Sequence, residues 1–200
     1  MNNEKINTKT FLIIALTVLG IGYLYIAVAR PFNISPGSSL QQRSFSPVDK
    51  VLAARFDFLS THGNSSCSSS FQQSIPNMPD NSRLQGSCCS PMVESKYAEQ
   101  VTNLKKYKDV SVIPSDPYDI SAKLAKQLLV YDKIITPTAA EQKVLDVAVA
   151  ASPEKGYCCC KCWRWYVYEG LSKYLVRHYH FTAKQITDVL ANSDGCGGSS

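Results

Sequence analysis

The sequence predicts an all-α domain, a small bundle of five or six helices with a Cys-bearing irregular loop, preceded by one transmembrane helix. Three observations carry this. Apolar residues recur at helical spacing through most of the second half of the chain, with no convincing strand alternation. Cap residues stand immediately ahead of several of those stretches. Phe11 to Ala29 contains no charged residue, and its length is close to the ~20 residues that cross a hydrocarbon core as a helix.

That apolar run sets the expected compartment. Lys5 and Lys9 precede it, and Tyr23 and Tyr25 sit near its far end as interfacial aromatics do. The N-terminus is therefore expected inside and the bulk of the chain outside, although Arg30 and Arg43 count against that orientation. Ala27-Val28-Ala29 is a small-x-small site that fits a cleaved signal peptide. The run is longer than the usual signal core, which favours an uncleaved anchor. The resulting organisation is a cytoplasmic N-terminus over 1–10, a transmembrane anchor over 11–29, a flexible linker over 30–50 and an extracytoplasmic cysteine-rich helical domain over 51–200. The expected location is the cell membrane, single-pass. From Pro31 to Val48 the chain is rich in Pro, Ser, Gly and Gln and too poor in apolar residues to fold alone. Asn33-Ile34-Ser35 and Asn64-Ser65-Ser66 match the short glycosylation sequon, in keeping with an exported surface.

Within the domain, Val51 to Ser60 reads as a first helix with Val51, Leu52, Phe56 and Leu59 inward. Ser65 to Pro91 is a long Ser-, Asn- and Pro-rich connection carrying Cys67, Cys88 and Cys89, and a loop of that length is usually functional or tied down. Val93 to Tyr107 and Asp119 to Ile135 carry apolar stripes through Tyr97, Val101 and Leu104 and through Ile120, Leu124, Leu128 and Tyr131. The next helix opens either at Thr136 with Pro137 in its first position or at the capping box Thr138-x-x-Glu141, and it stops at Ser152-Pro153. A helix from about Cys159 to Tyr179 turns Val167, Leu171, Tyr174 and Leu175 inward. Thr182-x-x-Gln185 opens the last helix, to about Ala191. A tight turn at Tyr179-His180-Phe181 makes these two an antiparallel hairpin of similar arms, which returns Cys196 to the level of Cys158.

Composition narrows the function. The 200 residues carry a net charge of +5 at neutral pH and are 44% hydrophobic and 18% charged, values of an ordinary folded domain with an attachment. The positive charge is dispersed. Lys105-Lys106-Tyr107-Lys108 is the densest basic run, a solvated helix face rather than a nucleic-acid footprint, so no nucleic-acid partner is expected. No Ser/His/Asp set, phosphate loop or paired carboxylate stands out, and no catalytic residue is assigned.

The chemistry concentrates in Tyr157-Cys158-Cys159-Cys160-Lys161-Cys162-Trp163-Arg164-Trp165. A single free cysteine is usually a small buried hydrophobe, but four this close demand a ligand or an oxidant. If this segment begins a helix, Cys158 and Cys162 share a face and Cys159 lies beside them. A helix N-terminus also favours the thiolate. Three readings stay open. In the first, Cys158, Cys159, Cys160, Cys162 and Cys196 bind a soft metal, Cu, Zn or an Fe–S cluster, with Trp163 and Trp165 as an apolar shield; Cys67, Cys88 and Cys89 are then further ligands or disulfide partners. In the second, Cys159 and Cys162 form a C-x-x-C that exchanges thiols with disulfides. In the third, eight cysteines in an oxidising compartment staple a surface or interaction module, whose protein partner the sequence does not identify. Covalent haem attachment fails because Trp163 follows where His is required, and a zinc ribbon fails for want of a second C-x-x-C.

With Cys159-x-x-Cys162, an amphipathic helix and then Phe181-Thr182-x-x-Gln185-Ile186, the C-terminal forty residues resemble the end of the exported PCYCGC-motif protein family. The resemblance implies a membrane-attached, cysteine-rich protein of a family whose function is unsettled, with a metal role as the expectation. The chain departs from that family in carrying Tyr157-Cys158-Cys159-Cys160-Lys161-Cys162 in place of the PCYCGC string, and in lacking a lipoprotein-type cysteine after the apolar run.

Overall fold

The computed structural model describes residues 47–197. The apolar run 11–29, the N-terminal 1–10, most of the tether and the sequon at Asn33 lie outside the described residues. Among the described residues no helix is long and apolar enough to cross a membrane.

The described residues form seven α-helices and one two-stranded sheet. In chain order these are α1 (Pro47–Thr61), α2 (Ser69–Ser74), β1 (Arg83–Gln85), α3 (Glu94–Leu104), β2 (Asp119–Ser121), α4 (Ala122–Ile134), α5 (Ala139–Ala151), α6 (Trp163–Tyr179) and α7 (Ala183–Ser193). The helical class expected from the sequence holds.

Helix α6 is the axis of the bundle. It buries residues on more than one face, with Trp163, Val167, Leu171 and Leu175 on one side and Arg164 and Tyr168 beside them. Its neighbours contribute Ala125 and Leu128 from α4, Leu145 and Ala148 from α5, and Ile186, Val189 and Leu190 from α7. Each fully buried aliphatic side chain contributes about 1.5–3 kcal/mol relative to exposure. Close approach of α4 and α6 requires Gly170, where a Cβ would lie 2.0 Å from the Leu128 carbonyl oxygen. Lys173 spans the same interface to Asp132 at 2.7 Å. A smaller apolar group of Leu59, Met92, Tyr97 and Tyr118 fastens α1 and α3 to the segment before β2.

Helix boundaries follow local chemistry. The Thr138–Glu141 and Thr182–Gln185 capping boxes both form, and each satisfies free amides at its helix start. Thr138 rather than Thr136 is therefore the cap of α5. Helix α6 ends at His180 in the left-handed region (φ 53°), which makes the turn into α7 tight.

Four sequence expectations need correction. The chain contains strands: β1 and β2 pair antiparallel with Arg83 opposite Ser121, Leu84 opposite Ile120 and Gln85 opposite Asp119. Three residues per strand are too few to leave an alternating pattern. Because Asp119–Ser121 pairs with β1, α4 starts at Ala122, with the Ser121 hydroxyl accepting from the Leu124 amide. Val51 is 69% exposed, so the inner face of α1 is carried by Leu59 with Leu52 and Phe56. The short α2, capped by Ser68, lies in what the sequence presents as loop.

Candidate metal centre

The cysteines arrive from four places in the chain, and each segment is held by its own backbone bonds. The amides of Asn64 and Ser65 both donate to the Gln85 carbonyl at 2.9 Å, which lays the Cys67 segment along β1. The Asn64 side chain completes this, donating through Nδ2 to the Arg83 carbonyl and accepting from the Gln85 amide. Cys88 and Cys89 follow β1 directly. The Ser90 amide and hydroxyl then both donate to the Cys196 carbonyl, at 2.9 and 3.0 Å. Gly197 makes this possible: its φ is 106°, and a Cβ there would lie 2.0 Å from the Ser90 oxygen. The turn bearing Cys196 is tied to α3, with Lys96 on the Asp194 carboxylate and Gln100 Nε2 donating to its carbonyl, both at 2.8 Å.

The Cys158–Cys162 segment is not helical. It is an irregular turn closed by the Cys162 amide donating to the Cys160 carbonyl at 2.9 Å, and Cys162 occupies the N-cap position of α6. The helix starts at Trp163 rather than Cys159, so no helical face pairs Cys158 with Cys162. The segment instead folds its thiols back on themselves. The positive end of the α6 dipole still begins at the cluster, which favours negative charge there.

All eight cysteines meet at one site. Cys158 and Cys196 sulfurs are 2.8 Å apart, Cys159 and Cys196 3.1 Å, Cys67 and Cys89 2.9 Å, Cys89 and Cys159 3.4 Å, and Cys67 and Cys160 3.5 Å. Cys88 and Cys160 each lie 3.7 Å from Cys89. Cys88 also reaches Cys158 and Cys162. All eight thiols are free, and every one of these separations exceeds the S–S bond of about 2.05 Å. The three C-terminal ligand candidates nearest the core, Cys158, Cys162 and Cys196, are 4%, 2% and 5% exposed. Cys67, Cys88 and Cys160 are half-buried, and Cys89 and Cys159 face solvent. The site thus has a closed inner side and an open outer one.

Three-sulfur groups recur inside it. Cys67, Cys88 and Cys162 lie within 4.8 Å of one another, as do Cys67, Cys89 and Cys160, then Cys88, Cys89 and Cys196, then Cys158, Cys159 and Cys160. With metal–sulfur bonds of about 2.3 Å, two thiolates on one ion sit roughly 3.8–4 Å apart, so each group is compact enough for its three sulfurs to open onto one shared ion. Every cysteine belongs to at least one group, and Cys67, Cys88, Cys89 and Cys160 belong to two.

Crowding divides the thiols electrostatically. Cys88 is pushed down to about 6, chiefly because Cys158 and Cys162 donate to its sulfur, with the Arg164 charge helping. Cys196 is pushed down to about 6 by contacts from Cys158 and then Cys88. The remaining shifted thiols go up. Burial raises Cys67, Cys89 and Cys159, and Cys158 is raised mainly because it donates to Cys162, Cys196 and Cys88. Cys88 and Cys196 thus ionise more readily than an ordinary thiol, and Cys67, Cys89, Cys158 and Cys159 less readily.

Trp163 is fully buried and packs against Phe71, with ring centroids 6.2 Å apart. Trp165 is half-buried, edge-on to Tyr157 at 5.5 Å and under the Lys161 ammonium at 5.5 Å. One residue at the site escaped sequence reasoning: Arg164, fully buried between the two tryptophans in sequence. Its signal was a lone cation two positions after the last clustered cysteine, in a stretch otherwise aromatic and apolar. Compared with described families, with curated proteins and with solved structures, the chain matches none.

Proposed function

We propose that this chain is a membrane-anchored, extracytoplasmic protein that binds several Cu(I) ions in a shared thiolate cluster. The observation that carries the reading is the convergence of eight free sulfurs from four chain segments into linked three-sulfur groups. Sulfur-only donor sets select Cu(I), Zn or Fe–S over hard cations. Among these, structural Zn sites are closed four-ligand tetrahedral sets. Three-sulfur groups with four cysteines common to two of them favour ions bridged by shared thiolates. Cys89 and Cys159, on the open side, are the sulfurs through which an incoming or departing ion changes ligands.

A thiol–disulfide reading rests on different cysteines from those the C-x-x-C suggests. No sulfur contact joins Cys159 to Cys162; the shortest separations pair Cys158 with Cys196 and Cys67 with Cys89. Anaerobic titration of the reduced full chain with Cu(I), followed by its thiolate charge-transfer absorbance, separates the two. The copper reading expects more than one equivalent bound before saturation, and fewer after Cys158→Ser or Cys196→Ser. Saturation at or below one equivalent, or indifference to both substitutions, would reject it.

A further inference from the structure

The interior of this domain holds a guanidinium to which no carboxylate is hydrogen-bonded. Arg164 is 0% exposed. Its Nη1 donates to the Pro117 carbonyl at 2.6 Å and to the Tyr168 hydroxyl at 3.2 Å, and its Nη2 donates to the Gly86 carbonyl at 3.0 Å. Its Nε has no partner. All of these acceptors are neutral. Nearby carboxylates are committed elsewhere, Asp194 to Lys96 at 2.8 Å and Asp119 to Arg83 at 2.7 Å. Asp116 is near enough to feel the Arg164 charge but makes no bond to it, accepting instead from the Tyr97 hydroxyl at 2.9 Å. Taking a cation out of water without an anion is among the most unfavourable arrangements in a protein interior.

The position of the guanidinium shows which anions it serves. It rests against the backbone of Gly195, where a Cβ would lie 2.1 Å from Nη1, and Gly195 precedes Cys196. Its Nη2 bond reaches Gly86, two residues before Cys88. The sulfurs of Cys88, Cys196 and Cys158 lie close enough for their charge to be felt at the guanidinium. Cys158 and Cys196 belong to the closed inner side of the cluster, away from water that would otherwise screen their charge, and Cys88 is half-buried beside them.

We infer that Arg164 is the built-in counter-cation of the thiolate site, a positioning residue that offsets the negative charge of Cys88, Cys158 and Cys196 when they are metal-bound. The inference rests on the metal reading above. Each thiol that binds Cu(I) releases its proton to solvent, and wherever thiolates outnumber monovalent ions the cluster is left anionic. A fixed cation against the closed side neutralises part of that charge where solvent does not reach, and the open side with Cys89 and Cys159 is left to water.

The test compares the full chain with Arg164→Met and Arg164→Lys, each reduced under anaerobic conditions, both metal-free and loaded with Cu(I). Two quantities are read: the rise in Tm on loading, and Cu(I) retained against bathocuproine disulfonate. Arg164→Met should weaken Cu(I) retention about 10- to 100-fold, as loss of an outer-shell partner does, and should shrink the Tm rise. Arg164→Lys should lower both Tm values yet keep most of the rise between them. If Arg164→Met does not fold, Arg164→Gln, which keeps a donor for the backbone carbonyls and removes only the charge, takes its place. Equal losses of Tm in both forms, with retention unchanged, would make Arg164 a scaffold residue and overturn the inference. A wild-type chain that takes up no Cu(I) overturns the metal reading itself, and so the two failures are distinguishable.

Discussion

Cys88 and Cys196 give the metal-free site its pH behaviour. Their folded values of about 6 lie below the ordinary 9.0. Their contribution to stability is therefore fully present above pH 9 and is lost as pH falls through 6. Cys67, Cys89, Cys158 and Cys159 shift the other way, so their contribution is complete below pH 9 and is lost as pH rises beyond it. The reduced, metal-free chain should gain stability from pH 6 to 9 and lose it above 9, as read by anaerobic urea unfolding with a chelator present; a flat profile would contradict the shared-proton account. Ligand position makes a second prediction. Cys158→Ser, on the closed side, should lower the metal content, whereas Cys159→Ser, on the open side, should mainly change the rate of Cu(I) transfer to a competing chelator. Equal effects of the two on content would remove the distinction between sides. At this scale the eight cysteines were legible because thiols so crowded have few structural alternatives. Arg164 was not, because a single arginine after a cysteine run says nothing of its burial until the Gly86 and Gly195 backbones are placed around it.

Among the elements, α6 carries the most information, since it links the cysteine turn to the core. Gly170→Ala should destabilise the domain by on the order of 3 kcal/mol, because the added carbon meets the Leu128 oxygen at 2.0 Å and the Asp132 nitrogen at 2.7 Å. Thr182→Ala should cost about 1 kcal/mol through loss of the α7 cap, and thermal unfolding measures both. A smaller loss for Gly170→Ala than for Thr182→Ala would mean that α4 and α6 can part cheaply. The caps at Thr138 and Thr182 could be read from sequence because a capping box is local chemistry, complete within four residues. The start of α6 could not. Helical periodicity extends backward from Trp163 to Cys159, but the backbone there turns back on itself, with the Cys162 amide donating to the Cys160 carbonyl. The β1–β2 pair was equally hidden, since each strand is short and its partner lies more than thirty residues away.

For the whole domain, the site exists only when the fold is complete. Cys67 follows α1, Cys88 and Cys89 follow β1, Cys158 to Cys162 precede α6 and Cys196 follows α7, so an ion held by all four segments binds the folded chain and not the unfolded one. Such binding stabilises by about 4 kcal/mol at a free concentration a thousand times Kd, and stripping the metal should lower Tm correspondingly. The sequence foretold the helical bundle and the return of the C-terminal hairpin toward the cysteine run through local periodicity. It offered Cys67, Cys88 and Cys89 as further ligands or disulfide partners but not how their loop closes over the same point, because that depends on the Asn64 and Ser90 backbone bonds made across the fold. The most direct measurement is elemental analysis of the full chain purified without reductant or chelator, with free thiols counted after denaturation in the presence of a chelator. The account predicts more than one copper per chain and close to eight reactive thiols. A chain without metal and without free thiols would contradict it and leave a disulfide-stapled domain.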